Sequence, residues 1–218
     1  MTILRVAESV LQPGALPRYM EVAAKVKPLI DAVGTQLTFL VVNAGGDPNT
    51  VLAIAGFEDL AAYAAASADI ASNSQIQAAL GGYAGVSMNS LDVTLYNDIS
   101  DELGGAVNPV ENPLFFSTHR VKILPGKRDH HISAIKQIRE ARIAAGLQVS
   151  TTFESLIGEG GVVIRSRGYA SLDAFAEEAS TPQPASVVEI FEKMAEDPAF
   201  PYVENQGSRL LANITGQV

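Results

Sequence analysis

Three short patterns in this chain occur twice, always 112 residues apart. Pro13-Gly14 returns as Pro125-Gly126, and Gly34-Thr35-Gln36 returns as Gly146-Leu147-Gln148. Gly56-Phe57-x-x-Leu60-x-x-Tyr63 returns as Gly168-Tyr169-x-x-Leu172-x-x-Phe175. One shared offset with no gap between the pairs marks a duplicated unit of about one hundred residues. The chain of 218 residues is then two copies of one small module rather than a single large domain.

Each copy reads by period. Residues 3–11 form a short β-type run closed by Pro13-Gly14. A helix follows, with Pro17 tolerated in its first turn. Met20, Ala23, Val26, Leu29 and Val33 recur at three- and four-residue steps and form one apolar stripe. Gly34 stops the helix, and Pro28 should kink its last turn. At the common offset the second stripe is Ile132, Ile135, Ile138, Ala141 and Ala145, followed by Gly146. Strands at 35–42 and 51–55, helices at 58–66 and 74–80, and a strand at 87–96 complete unit 1. Unit 2 repeats them as strand 115–123, helix 128–145, strands 147–156 and 162–167, helices 171–178 and 185–196, and strand 208–214. Residues 98–114, with Asp98, Asp101, Glu102, two Gly and two Pro, read as a polar linker. The expected division is 1–97, linker 98–114, and 115–218.

The order βαββαβ is that of the ferredoxin-like split βαβ unit, an antiparallel four-stranded sheet with both helices on one face. The other face is bare, and a half-apolar sheet does not stay in water. Two units in one chain supply the remedy if their bare faces pack together. The fold class is therefore α+β: two tandem ferredoxin-like units whose sheets form a pseudo-dimeric α/β barrel.

Composition excludes several functions. With 15 Lys+Arg against 24 Asp+Glu the net charge is −9, which disfavours nucleic-acid partners. The absence of Cys removes disulfides, thiolate metal sites and thiol nucleophiles. No apolar run reaches the roughly 18 residues of a membrane span. Arg5 and Glu8 interrupt the amino end too early for an export signal, so the expected location is cytoplasmic. No P-loop, dinucleotide fingerprint or Gly-x-Ser-x-Gly elbow is present.

The Pro-Gly pairs, the helix-ending Gly34 and Gly146, and the doubled Gly-[Phe/Tyr]-x-x-Leu-x-x-[Phe/Tyr] signature resemble the dimeric α/β-barrel superfamily in its tandem, single-chain form. Phe191-x-x-Met194-x-x-Asp197-Pro198-x-Phe200 resembles the end of the second helix in antibiotic-biosynthesis-monooxygenase-like domains. The resemblance implies a ligand cavity inside the barrel. It also implies an activity among cofactor-independent monooxygenases, lactone isomerases and haem-degrading enzymes. The monooxygenase branch often places a Trp in its pocket, and this chain has none. A haem-binding branch implies an axial ligand, for which the chain offers only His119, His130 and His131.

The two copies differ in one informative place. Ala53 and Ala55 of unit 1 correspond to Arg165 and Arg167 of unit 2, two residues apart and so on one face of a strand. A two-residue turn at Glu159-Gly160 would set Arg165 opposite Glu154 and Arg167 opposite Thr152. The first strand of unit 2 would add either His119 or Arg120, since these face opposite ways. The expected catalytic group is His119, Glu154, Arg165 and Arg167, on the cavity-facing side of unit 2. The arginines would hold a carboxylate, phenolate or enolate oxygen, and His119 or Glu154 would move a proton. The competing reading is an exposed Arg165–Glu154 cross-strand pair. His130 and His131, adjacent in a first helical turn, read as surface residues that cannot share a metal.

The expected function is a small-molecule-binding protein with no bound cofactor. It would be an oxygenase or isomerase acting on an aromatic or polyketide-like substrate. The alternatives are a non-catalytic binding or assembly protein, or a haem-binding protein. The expected partner is a small-molecule ligand in the barrel cavity, with no nucleic acid and no membrane. The chain would be a monomer or, through exposed sheet edges, a homodimer.

Overall fold

The computed structural model describes residues 2–35, 37–88, 91–105 and 110–218. Residues 89–90 of the strand expected at 87–96, and residues 106–109 of the expected linker, lie outside the described residues. The chain divides into two compact units. Unit 1 comprises Met1–Asn97, Leu156–Gly158 and Leu210–Val218; unit 2 comprises Asp98–Ser155 and Glu159–Arg209.

Unit 1 contains β1 (Ile3–Val10), α1 (Leu16–Ala32), β2 (Leu37–Asn43), β3 (Thr50–Phe57), α2 (Leu60–Ser72), α3 (Ser74–Leu80) and β4 (Asp92–Asp98). β1 lies between β3 and β4, and β3 pairs with β2, which gives the ferredoxin-like order β4-β1-β3-β2. The last strand starts later than its alternation suggests, and Ser87 forms only an isolated bridge with Leu11. The core under the helices holds Leu11, Tyr19, Ala23, Leu40, Val51 and Val86, with Ala53 packed against it. The apolar stripe of α1 is rotated slightly from its expected line: Tyr19, Val22, Ala23 and Val26 are the buried residues. The anomalous Pro28 lies inside α1, which continues to Ala32.

Unit 2 contains β5 (Phe115–Ile123), α4 (Arg128–Ala144), β6 (Thr151–Ile157), β7 (Val162–Tyr169), α5 (Leu172–Ser180), α6 (Ala185–Glu196) and most of β8 (Val203–Asn213). The 17 residues of α4 match the 17 of α1 position for position at the common offset. β5 pairs with β7, and β7 with β6. Segment 98–105, expected to be polar linker, buries Ile99 and Leu103 against Ile132 and Ile135 of α4. The buried guanidinium of Arg139 anchors that segment by donating to the carbonyls of Leu103, Gly105 and Ser150.

The doubled signature has a physical meaning in both units. Phe57 and Tyr63 meet edge to face with centroids 5.3 Å apart, and Tyr169 and Phe175 do the same at 5.4 Å. Aromatic rings prefer this arrangement, and it pins the helix onto the strand that precedes it. Asp59 and Ser171, again one offset apart, cap those helices by accepting from the backbone N–H of Ala62 and Ala174. Gly34 and Gly146 follow their helices with φ of 81° and 72°, a left-handed turn that side chains resist. Each unit's strands are antiparallel, β4-β1-β3-β2 in unit 1 and β5-β7-β6 in unit 2, in an α+β architecture.

Candidate functional site

Strand register decides which side chains share a face. His119 stands opposite Arg165, Ser117 opposite Arg167, and Thr152 opposite Arg165 on the other flank. The β6–β7 hairpin is therefore offset from the pairing expected from a two-residue turn. Ser155 closes a wider turn by donating to the Glu159 carbonyl and accepting from the Val162 N–H. Glu154 consequently lies opposite Val163, not Arg165. Its carboxylate accepts from Nε and Nη2 of Arg128 at 2.8 and 2.6 Å. This removes Glu154 from the arginine cluster.

The expected cavity-facing placement of these residues is also overturned. Arg167 pairs with Glu178 of α5, Glu154 pairs with Arg128 of α4, and Arg165 acts electrostatically on His131 of α4. His119, Arg165, Arg167 and Glu154 thus occupy the helix-covered face of the unit 2 sheet. Alternation fixed that they share a face; which face the helices cover was set by packing. Arg120 points the other way, donating to Gln206 and to Glu159, which also receives Lys122.

His131 corrects a second expectation. It is a buried residue, 6% exposed, rather than a surface one. His130 is exposed and packs its ring 5.6 Å from that of Tyr202. There it borders a cleft of about 410 Å³ between α4 and α6, lined also by Asp129, Lys193 and Met194.

The same layer in unit 1 shows how unusual this is. Ala7, Tyr19, Leu40 and Ala53 precede His119, His131, Thr152 and Arg165 by one offset, and they belong to the closed apolar packing of unit 1. Ala55 and Ala66, packed together in unit 1, become the ion pair Arg167–Glu178 in unit 2. The fold does not require polar groups here, because its own copy does without them. Sequence reading missed His131, Arg142 and Glu178. Their counterparts Tyr19, Ile30 and Ala66 carried the signal, because a residue-by-residue comparison of the copies exposes each exchange.

Electrostatically the layer is cationic. Arg142 and Arg167 share the single carboxylate of Glu178. Burial lowers the Arg167 pKa to about 10, helped by the like charge of Arg142. Arg165 has no ion pair among the described residues, and its Nε is buried without a hydrogen-bond partner. Burial lowers its pKa as well. Arg167 Nε, Thr152 Oγ1 and His131 Nε2 are likewise buried without partners. Burial, and then the Arg165 charge, lower His131 to about 4 and also lower His119, so both imidazoles are neutral at neutral pH. His119 Nδ1 lies 2.9 Å from Ser208 Oγ. His119 and Arg165 keep partial solvent exposure.

Of the histidines, His131 fits an axial haem ligand poorly, because a cationic iron on it would stand against the Arg165 guanidinium; His119 holds Ser208 through Nδ1, and His130 stacks near Tyr202. Among the described residues no three His, Asp or Glu side chains gather to hold a metal ion. Among the described residues the layer holds a cation without an ion pair, a hydroxyl and a neutral imidazole, with Arg165 Nε, Thr152 Oγ1 and His131 Nε2 unpartnered, a set of groups suited to an anionic or hydroxyl oxygen.

No protein-family model matches the sequence, and no curated protein matches it. Solved structures do share its fold. A candidate monooxygenase from Lactobacillus acidophilus is similar with a TM-score of 0.66 at 12% identity, over 97% of this chain and 93% of that one. A candidate monooxygenase from Fusobacterium nucleatum is similar with a TM-score of 0.65 at 12% identity, over 97% and 92%. An anthrone oxidase-like protein gives 0.61 at 14% identity, over 98% and 91%. With its βαββαβ order repeated in tandem within one polypeptide, the chain has the dimeric α/β-barrel fold of these solved structures.

Proposed function

We propose that the chain is a small-molecule-binding protein whose binding half is unit 2. Its chemistry would be cofactor-independent oxygenation, isomerisation or proton abstraction on an aromatic or polyketide-like substrate. One observation carries this reading: Arg165 is a guanidinium between sheet and helices with no carboxylate partner among the described residues. A cation placed there costs several kcal/mol of desolvation unless something compensates it. A ligand oxygen is the compensation this layer can accept. Arg165 would stabilise the negative charge that develops on that oxygen, and Arg167, held by Glu178, would keep the surrounding potential positive. The similar proteins described as monooxygenases and anthrone oxidase-like support the chemical class by analogy of fold.

Thermal-shift and calorimetric titration with benzoate, hydroquinone and haem tests the reading. Stabilisation by benzoate or hydroquinone that disappears in Arg165→Met supports it, and an equal response in the variant overturns it. A Soret band retained through purification would replace it with a haem function. Binding without turnover of oxygen or substrate would leave a non-catalytic binding protein.

A further inference from the structure

The hydrogen-bonding capacities around Arg165 are more specific than a positive charge. Register places Thr152 on one flank of Arg165 and His119 on the other. The repeat places His131 over them, because its counterpart Tyr19 packs in one cluster with Leu40 and Ala53, the counterparts of Thr152 and Arg165. Three polar atoms there have no partner: Arg165 Nε, Thr152 Oγ1 and His131 Nε2. Arg165 Nε can only donate, whereas Thr152 Oγ1 can donate or accept. In its Nδ1–H tautomer the neutral His131 imidazole offers Nε2 as an acceptor. The occupant that satisfies all three is one oxygen bearing one hydrogen. A carboxylate would leave Nε2 facing an oxygen with no proton to give.

We propose that His131 is the proton acceptor of this site, its Nε2 receiving the proton of a ligand hydroxyl whose oxygen is held by Arg165 and Thr152. This rests on the reading of Arg165 as the ligand anchor. In the step, the ligand O–H bond breaks and its electron pair stays on oxygen. An N–H bond forms on His131, and the resulting oxyanion lies against the guanidinium. Phenols and enols fit, since their oxyanions are delocalised and the adjacent guanidinium favours ionisation of the bound hydroxyl. The titratable groups facing His131 are the Arg165 guanidinium on β7 and the His119 imidazole on β5. From β6, Glu154 is tied to Arg128, and beyond Arg165 the pair Arg167–Glu178 is shared with Arg142. His119, half-exposed and with Nδ1 on Ser208, is left as a neighbour, because it has no buried nitrogen without a partner among the described residues.

The probe is 4-nitrophenol, whose absorption reports its ionisation directly. It is titrated against the intact protein below its own pKa, with 4-nitroanisole and benzoate in parallel. Wild type is expected to bind 4-nitrophenol at least about a hundredfold more tightly than 4-nitroanisole, which lacks the hydroxyl. The bound probe is expected to show the phenolate band. His131→Gln keeps an acceptor but no base, so it should bind the probe in its neutral form. His131→Phe, of similar shape, should lose about tenfold or more in affinity while still binding benzoate. A neutral bound probe in wild type, equal affinity for the anisole, or an unchanged phenolate band in His131→Gln overturns the proposal while benzoate binding keeps the anchor. If neither benzoate nor 4-nitrophenol binds, the layer holds water only, and both readings fall.

Discussion

At the scale of single residues, the helix-covered layer of unit 2 carries polar groups that an apolar layer would not need. Arg165 is a half-buried cation with no ion pair among the described residues and a buried, unpartnered Nε, so an apolar side chain of similar length should pack better than it does. Arg165→Met is expected to raise unfolding free energy by about 1 kcal/mol while abolishing ligand-induced stabilisation, as read by urea unfolding with and without benzoate. A drop in stability would show that Arg165 is structural. His131 adds a pH dependence. Its folded pKa is about 4 against 6.5 for an ordinary histidine, because burial and the Arg165 charge oppose protonation. Between those values the unfolded chain takes up a proton that the folded chain refuses. Stability is therefore full above about pH 6.5 and falls as the pH drops toward 4, by up to about 3 kcal/mol. Denaturant unfolding at pH 7 and pH 5 should show this loss in wild type and a smaller one in His131→Phe, with His119 accounting for the remainder.

At the scale of elements, the repeat marks the contacts that hold helices to strands. Asp59 and Ser171 cap equivalent helices with equivalent hydrogen bonds, so Asp59→Ala and Ser171→Ala should each cost about 1 kcal/mol in urea unfolding. Arg139 belongs to unit 2 alone. Its Nε donates to Leu103 at 3.0 Å, and its remaining nitrogens serve Gly105 and Ser150. Arg139→Met should cost about 3 kcal/mol or more by leaving those carbonyls without a donor, and it should speed amide exchange in segment 98–105. The glycines, the aromatic signature and the 17-residue helices were legible because each is a local rule: a left-handed turn, a ring pair six residues apart, an apolar stripe. The hairpin register was not. It depends on how many residues the Ser155–Val162 turn consumes, and a wider turn set Arg165 opposite Thr152 instead of Glu154.

At the scale of the whole molecule, unit 1 is not contiguous in sequence. Residues Leu210–Val218 belong to it: Val41, Val42 and Asn43 pair with Asn213, Ala212 and Leu211. Ile214 is buried in its core and donates its N–H to the Leu40 carbonyl, while Leu40 N–H donates to Thr215 Oγ1. Removal of residues 210–218 should therefore lower the melting temperature by well over about 5 °C, the shift expected for each 1 kcal/mol in a small domain. It should also expose the β2 edge to self-association, read by light scattering. A melting temperature equal to that of the full chain would show that unit 1 is complete without them. The sequence alone determined the duplication, the βαββαβ order and the fold class, because periodicity and turn chemistry act over a few residues and repeat unchanged. Tertiary structure alone decided which face of the unit 2 sheet the helices cover. It thereby moved the arginines from an expected cavity to a layer beneath α4 and α5 and brought His131 to Arg165. Side-chain alternation says that two residues share a face, but only the packing of another element against that face says what they meet there.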